Sequence, residues 1–243
     1  MKNKDTIDVY WWPFYKGWDL LYNEPTNLLD SMFKNKNKNS GKGSFFQCPA
    51  SSGKFKNIFV FSCPMDLEYK YDFSDPNNSY IVPVNENKPY ISVNIRRPPA
   101  LNKKPQFELS LLFCIFSKES LVASFTPPFF DEPKYFLYGA TPPGSYDIGQ
   151  WLRPYPLEIT LWKETGIIKF EKDEPLFYVE FLTDKPINLK RVVPTDSLLR
   201  YAEQGATSST TLSQNIPLLG RYETFKKTKM KNLILKEIEN NIV

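Results

Sequence analysis

The 21 prolines of this chain predict where its strands end, because they fall mostly between short apolar runs rather than inside them. Proline has no backbone N–H to donate to a β-ladder, so prolines that separate β-branched and aromatic runs indicate strand ends and loops. The candidate strands are residues 57–63, 67–73, 80–84, 90–95, 107–116, 121–125, 157–162, 167–171, 176–182 and 187–193. Short strands at this spacing predict a sandwich, a jelly roll or a barrel.

A single mainly β domain over residues 1–243 is expected from length and composition. Aromatic residues make up 16% of the 243 residues, and each ring buries a large area, so the chain can build a sizeable core. At residues 91–95 every second side chain is apolar, which is typical of a strand with one packed face and one wet face.

The chain changes character along its length. Residues 1–33 hold three of the five tryptophans and form an aromatic N-terminal arm. Residues 34–44 are rich in Lys and Asn and carry no apolar side chain, so we expect a mobile polar loop there. Residues 45–194 form the β body that follows.

Residues 195–243 read as a helical C-terminal region. Asp196 is placed to cap a helix that Gly205 stops, and residues 221–241 repeat apolar side chains at helical spacing among many Lys and Glu. We expect this second, amphipathic helix to pack one face on the β body.

The chain has no histidine, which excludes several classes of enzyme. Histidine serves as the base in Ser-His-Asp and Cys-His nucleophile systems and as the usual nitrogen ligand of zinc and iron. Phosphate-binding glycine loops and the hydrolase elbow motif are also missing. Cys48, Cys63 and Cys114 are too widely spaced for a metal cluster, so free thiols are expected, with Cys114 buried and inert. We expect no cofactor and no metal, and a protein that is not an enzyme.

A histidine-free enzyme would depend on carboxylates, which glycosidases use in pairs. By residue type alone the candidates are Asp131, Glu132, Asp147, Glu158, Glu171 and Glu180. Because sequence does not show which of them converge, no pair is assigned.

Charge favours a protein partner over nucleic acid. The formal net charge is only +4, and the lysines of residues 34–42 are interpreted as a solvated loop because no arginine accompanies them. No secretion signal or membrane span is evident, so we expect a cytoplasmic protein, in the host cell if the protein is viral, with a place in the virion as a further possibility.

The tryptophans of the arm are one candidate binding surface. Trp11, Trp12 and Trp18 offer broad apolar faces that suit sugars, bases or a partner chain. The alternative is that the arm docks as a lid over one end of the sheet, because a terminal segment this apolar needs burial.

A loop at residues 144–154 is the second candidate. It places Asp147, Trp151 and Arg153 close together at the start of a strand. We expect any ligand pocket near Trp151 and Arg153, with Arg153 holding an anionic or carbonyl group and the arm tryptophans as walls. The alternative is an Asp147–Arg153 ion pair that closes the loop over a buried Trp151.

Trp-x-Arg-Pro at residues 151–154 is followed by a strand and then by Glu-Pro-Leu-x-x-Val-x-Phe at residues 174–181. With these motifs, residues 144–193 resemble a group of uncharacterised β-rich proteins encoded by bacteriophages of marine bacteria. The resemblance implies a double-stranded β-helix, cupin-like jelly-roll body with a helical C-terminus, and no established activity. Cupin-like enzymes hold a metal with two or three histidines, so no metal ligand carries over to this chain.

Together these features favour a non-enzymatic, phage-encoded binding protein that acts on a host or virion protein. A carboxylate-based enzyme acting on a carbohydrate and a structural virion component are the alternatives.

Overall fold

The structure is a computed structural model that describes residues 6–15, 17, 20–34, 53–75, 77–86, 90–96, 104–206 and 218–243. Its strands are β1 (Ile7–Pro13), β2 (Thr26–Asn27), β3 (Ile58–Ser62), β4 (Leu67–Asp72), β5 (Tyr80–Pro83), β6 (Val93–Arg96), β7 (Gln106–Ser117), β8 (Val122–Thr126), β9 (Gly139–Ala140), β10 (Gly144–Asp147), β11 (Pro154–Leu161), β12 (Thr165–Phe170), β13 (Pro175–Phe181) and β14 (Ile187–Arg191). Its α-helices are α1 (Leu28–Lys34), α2 (Asp196–Ala206), α3 (Leu218–Lys227) and α4 (Met230–Glu239). The prediction of a mainly β protein with C-terminal helices is confirmed.

The strands form three sheets. Sheet I has the order β14-β1-β7-β11-β9, with β6 beside the first half of β7. Sheet II has the order β10-β8-β13-β3-β2, and sheet III has the order β12-β4-β5. β1 and β14 are parallel, and their neighbours pair antiparallel. All three sheets send alternate side chains into one apolar core.

Successive side chains along each strand point to opposite faces of the sheet, so alternate residues enter this core and the others face the outer layers. In β13, Phe177 and Val179 face the shared core, whereas Tyr178 faces a small cluster on the other side of sheet II. Phe61 of β3 stacks on Phe177 with ring centroids 5.4 Å apart. Leu28 of α1 belongs to the small outer cluster, so α1 covers part of the outer face of sheet II.

Residues 7–13 of the aromatic arm form strand β1 inside sheet I, which corrects the expectation that Trp11 and Trp12 belong to a surface platform or an end lid. β1 pairs with β14 on one side and with β7 on the other. Trp11 faces the shared core against Phe61 and Phe113, while Trp12 faces the opposite side of the sheet. Neither indole has exposed surface, because both faces of β1 are covered.

The outer face of sheet I is covered by a helical layer. The members of this second core are buried side chains of sheet I, of the loop before β11 and of three helices, including Trp12, Cys114, Phe116, Leu198, Ala202, Phe225, Ile234 and Ile238. It confirms that the C-terminal region packs one face on the β body.

The predicted helix over residues 221–241 is two helices, because Thr228 interrupts it. The Thr228 hydroxyl donates to the Phe225 carbonyl at 2.9 Å and accepts from the Met230 N–H at 3.4 Å. In one straight helix Phe225 and Ile234 would lie about 180° apart around the axis. The break lets both side chains enter the same core.

None of the helices in the described part of the chain is long and apolar enough to cross a membrane.

Candidate functional site

The loop between β10 and β11 is built around the carboxylate of Asp147. Its Oδ1 accepts from the backbone N–H groups of Leu121 and Gly149 at 3.0 and 2.9 Å. Its Oδ2 accepts from the Ser120 hydroxyl and from the side-chain amide of Gln150. A Cβ on Gly149 would lie 1.8 Å from the Glu119 carbonyl oxygen, so only glycine fits this close approach. Asp147 therefore holds the loop and is not offered to a ligand.

Asp147 and Arg153 form no ion pair among the described residues. The Asp147 oxygens accept from four donors, two in its own loop (Gly149 and Gln150) and two before β8 (Ser120 and Leu121), whereas the guanidinium of Arg153 lies over the Trp151 ring at 5.1 Å. The only hydrogen bond that Arg153 donates within the described chain runs from Nε to the Pro154 carbonyl at 3.4 Å.

Trp151 is held between the β body and the helical layer. Its indole N–H donates to the carbonyl of Gly205 in α2 at 3.2 Å, and its ring meets Tyr146 and Tyr222 edge to face. A Cβ on Gly205 would lie 1.8 Å from the Leu152 carbonyl oxygen. Trp151 is 7% exposed, so a ligand would reach only part of its ring.

Trp151, Tyr146 and Arg153 border a cleft of about 240 Å³, which we name the Trp151 cleft. Its lining includes Pro142, Pro143, Tyr146, Trp151, Arg153, Tyr155, Pro156 and Glu158. Aromatic and proline surfaces form the walls, and one cation and one carboxylate provide charge. The structure thus brings together Trp151 and Arg153, the two residues expected beside a pocket.

The hydroxyl of Tyr146 is buried in this region and has no hydrogen-bond partner in the described part of the chain. Burial raises the pKa of this hydroxyl well above its ordinary value, and the positive charge of Arg153 acts in the opposite direction. The hydroxyl is therefore a neutral donor at physiological pH, and an unpaired buried donor carries a cost in free energy.

Trp11 and Trp12 do not contribute to the Trp151 cleft. Trp11 and Trp12 are fully buried on opposite faces of β1, and Trp18 lies outside the described residues, as do residues 35–44 of the predicted polar loop. The walls come instead from Tyr155 and the prolines, which the sequence analysis did not assign to the site. The Pro142-Pro143 pair beside Gly144 was the available signal, but prolines also end strands.

A second cleft of about 230 Å³ is lined by residues of β4, of β12 and of the loop after β5. It is charged: Lys169 pairs with Glu68 at 2.8 Å, and Lys134 pairs with Glu171. Of the carboxylates considered by residue type, only Glu171 lines it, whereas Glu158 lies in the Trp151 cleft. Within the described residues no group of three or more Cys, Asp or Glu is placed to hold a metal ion.

Comparisons with protein-family models, with curated proteins and with solved structures find no match for this chain.

Proposed function

We propose that this protein is a non-enzymatic binding protein that recognises a partner protein through the Trp151 cleft. The partner is a host or virion protein, and the gene belongs to a bacteriophage, as the resemblance of residues 144–193 implies. We also propose that the β body has double-stranded β-helix topology, with its two larger sheets facing one another across the shared core.

The observation that carries the binding proposal is the situation of Arg153. Its guanidinium is half-buried at an aromatic and proline-lined cleft and contacts no carboxylate among the described residues. Arginine and aromatic residues dominate the binding energy of protein interfaces, since they combine large contact area with directed hydrogen bonds. A surface with this composition suits a partner chain.

The test is capture from a lysate of marine bacteria with the full chain as bait. We expect one protein to be recovered in stoichiometric amount by the wild type and to be lost with Arg153→Ala. Lys163→Ala removes an exposed lysine in the turn before β12 and should capture the same protein as the wild type. Equal recovery by all three proteins contradicts a role for the cleft.

A carboxylate enzyme acting on a carbohydrate is the second candidate, and the charged cleft favours it. Glu68 and Glu171 lie there beside Tyr69, Tyr90 and Phe170, and aromatic faces suit sugar rings. Each glutamate is already paired with a lysine, which suits a structural role equally well. Turnover of an oligosaccharide that Glu171→Gln abolishes without loss of folding would establish the enzyme.

A structural virion component would assemble from copies of this chain. Light scattering of the purified protein separates this alternative, because a binding protein is expected to stay at one small, defined size across concentrations.

A further inference from the structure

We propose that the Trp151 cleft recognises a carboxylate that a partner chain carries beside an apolar side chain. This rests on the proposed binding function and names the chemistry by which the partner is read.

The positive charge of Arg153 favours an anionic ligand. Within the described chain this guanidinium has only the Pro154 carbonyl and the face of Trp151 as partners, so most of its five N–H donors have no protein acceptor. A planar guanidinium matches the two oxygens of a carboxylate with parallel hydrogen bonds, and pairs of this kind are stronger than neutral ones. A carboxylate is therefore the ligand group that best complements the donors left over at this cleft.

The Tyr146 hydroxyl also favours a ligand that can accept a hydrogen bond. It is a buried donor with no acceptor in the described residues, Tyr146 and Arg153 both line the Trp151 cleft, and the charge of Arg153 acts to lower the pKa of the hydroxyl. Buried polar groups in proteins are almost always hydrogen-bonded. An anion held by Arg153 would offer the acceptor that this hydroxyl lacks.

The rest of the cleft lining and the cleft volume indicate which group accompanies the carboxylate. Pro142, Pro143 and Pro156 join Trp151 and Tyr155 in the lining, so an apolar side chain has surface to pack on, although Thr141, Ser145 and Glu158 also line the cleft. The volume of about 240 Å³ suits one side chain and its neighbouring backbone, not an extended polymer. Glu158 in the same lining would repel a dianionic phosphate more strongly than a singly charged carboxylate.

The experiment titrates three blocked dipeptides into the ¹⁵N-labelled full chain and follows the indole N–H signal of Trp151. N-acetyl-Gly-Phe with a free C-terminus carries its carboxylate on the backbone, and N-acetyl-Asp-Phe-amide carries it on a side chain. N-acetyl-Asn-Phe-amide has nearly the same shape as the second peptide without the charge. We expect at least one of the charged peptides to give a saturable shift, and the uncharged peptide to bind at least about tenfold more weakly.

The variants make the result specific to the cleft. Arg153→Ala should abolish the shift and Arg153→Lys should restore part of it, because lysine keeps the charge but not the fork of donors. Tyr146→Phe keeps the ring and should weaken binding about threefold to tenfold. Lys163→Ala should bind as the wild type does. The indole spectra of the unliganded variants report whether each one is folded.

The relative affinity of the two charged peptides identifies the source of the carboxylate, a chain end or an acidic side chain. Binding of the Asn peptide as tightly as the tighter of the two charged peptides, or binding that survives in Arg153→Ala, overturns the inference. So does the absence of a shift with all three peptides on the order of 10 mM, well above the millimolar range of weak ligands. If a protein is captured in a manner that depends on Arg153, but any of these results is also obtained, the proposed function is kept and the carboxylate inference is rejected. Peptide binding without any captured protein would support the carboxylate site and contradict the partner-protein function.

Discussion

Two charged residues six positions apart, Asp147 and Arg153, have opposite roles in the loop before β11. The Asp147 carboxylate is saturated by four donors of the protein, whereas Arg153 faces a cleft with a ring and one carbonyl as partners. A buried carboxylate that accepts this many hydrogen bonds stabilises the fold. Because no carboxylate among the described residues contacts the guanidinium of Arg153, a ligand that carries one would gain the most binding free energy there.

Asp147→Ala is expected to lower the free energy of unfolding by about 2–4 kcal/mol, because it leaves buried donors unpaired. The measurement is urea unfolding followed by tryptophan fluorescence. Asp72→Ala is the matched control and should cost far less, since within the described residues that carboxylate accepts only from Ser74 at an exposed turn. Equal losses in the two variants would show that Asp147 does not hold the loop.

Gly205→Ala should destabilise the protein by about 1–3 kcal/mol, although alanine is the better helix former, because the new Cβ would meet the Leu152 carbonyl oxygen. The same change should shift the Trp151 indole signal, since that N–H donates to Gly205. Gly144→Ala adds a Cβ with no atom within 4 Å and should change stability by less than about 0.5 kcal/mol. A neutral or stabilising Gly205→Ala would contradict the close approach of α2 to the loop.

At the residue scale, sequence predicted half of the candidate site. Trp151 and Arg153 are close in the chain, so their proximity follows from local geometry. The walls from Pro142, Pro143 and Tyr155 depend on how β10 and β11 lie in different sheets, which no local pattern encodes. Two of the four donors to Asp147 come from Ser120 and Leu121, far away in sequence, so sequence reasoning did not find them and favoured Arg153 as its partner.

Among the secondary-structure elements, strands with an alternating pattern were predicted from sequence, whereas β1 and its pairing with a distant strand were not. The strands separated by prolines were predicted because a packed face and a wet face leave a visible period of two, as in β6. β1 was missed as a strand because both of its faces are buried, so it reads as a continuous aromatic run without alternation. Its parallel partner β14 lies 180 residues further along the chain, as the pairing of Ile7 with Ile187 shows.

The pairing of β1 with β14 should contribute to the acid sensitivity of the fold through Asp8. Burial acts to raise the pKa of this carboxyl, but hydrogen bonds from Lys190 and Asn188 outweigh it and hold the pKa below its ordinary value of 3.8. Because the folded-state pKa is the lower one, the stabilisation is complete above the unfolded-state pKa and is lost as pH falls through the folded-state value.

Asp8→Asn should therefore lower the urea midpoint near neutral pH and have little effect below about pH 2–3. The measurement compares urea midpoints of wild type and variant across this pH range. A difference that stays constant down to the lowest pH would show that the charge of Asp8 is not involved.

On the scale of the whole molecule, sheet I is shared by two apolar cores. Cys63 lies in the core between the sheets, and Cys114 lies in the core beneath the helices. Burial raises the pKa of Cys63 to about 12 and that of Cys114 well above its ordinary value, so neither thiol reacts readily while the protein is folded. A single domain over residues 1–243 remains a prediction that these two thiols test.

In a Cys48→Ser background, Cys63 and Cys114 should resist a thiol reagent at pH 8 and become reactive at the same urea concentration. Both cores share the strands of sheet I, so they are expected to unfold together. Mass spectrometry of the labelled peptides distinguishes the two sites. Labelling of Cys114 at a clearly lower urea concentration would show that the helical layer separates first and would contradict a single cooperative unit.

The central claim is that a partner protein is recognised through Arg153 in the Trp151 cleft. Its most direct test is a calorimetric titration of the captured partner into wild type, Arg153→Ala and Lys163→Ala. We expect Arg153→Ala to weaken binding at least about tenfold and Lys163→Ala to stay within about twofold of the wild type. Equal affinities for wild type and Arg153→Ala would show that the partner binds elsewhere and would contradict the claim.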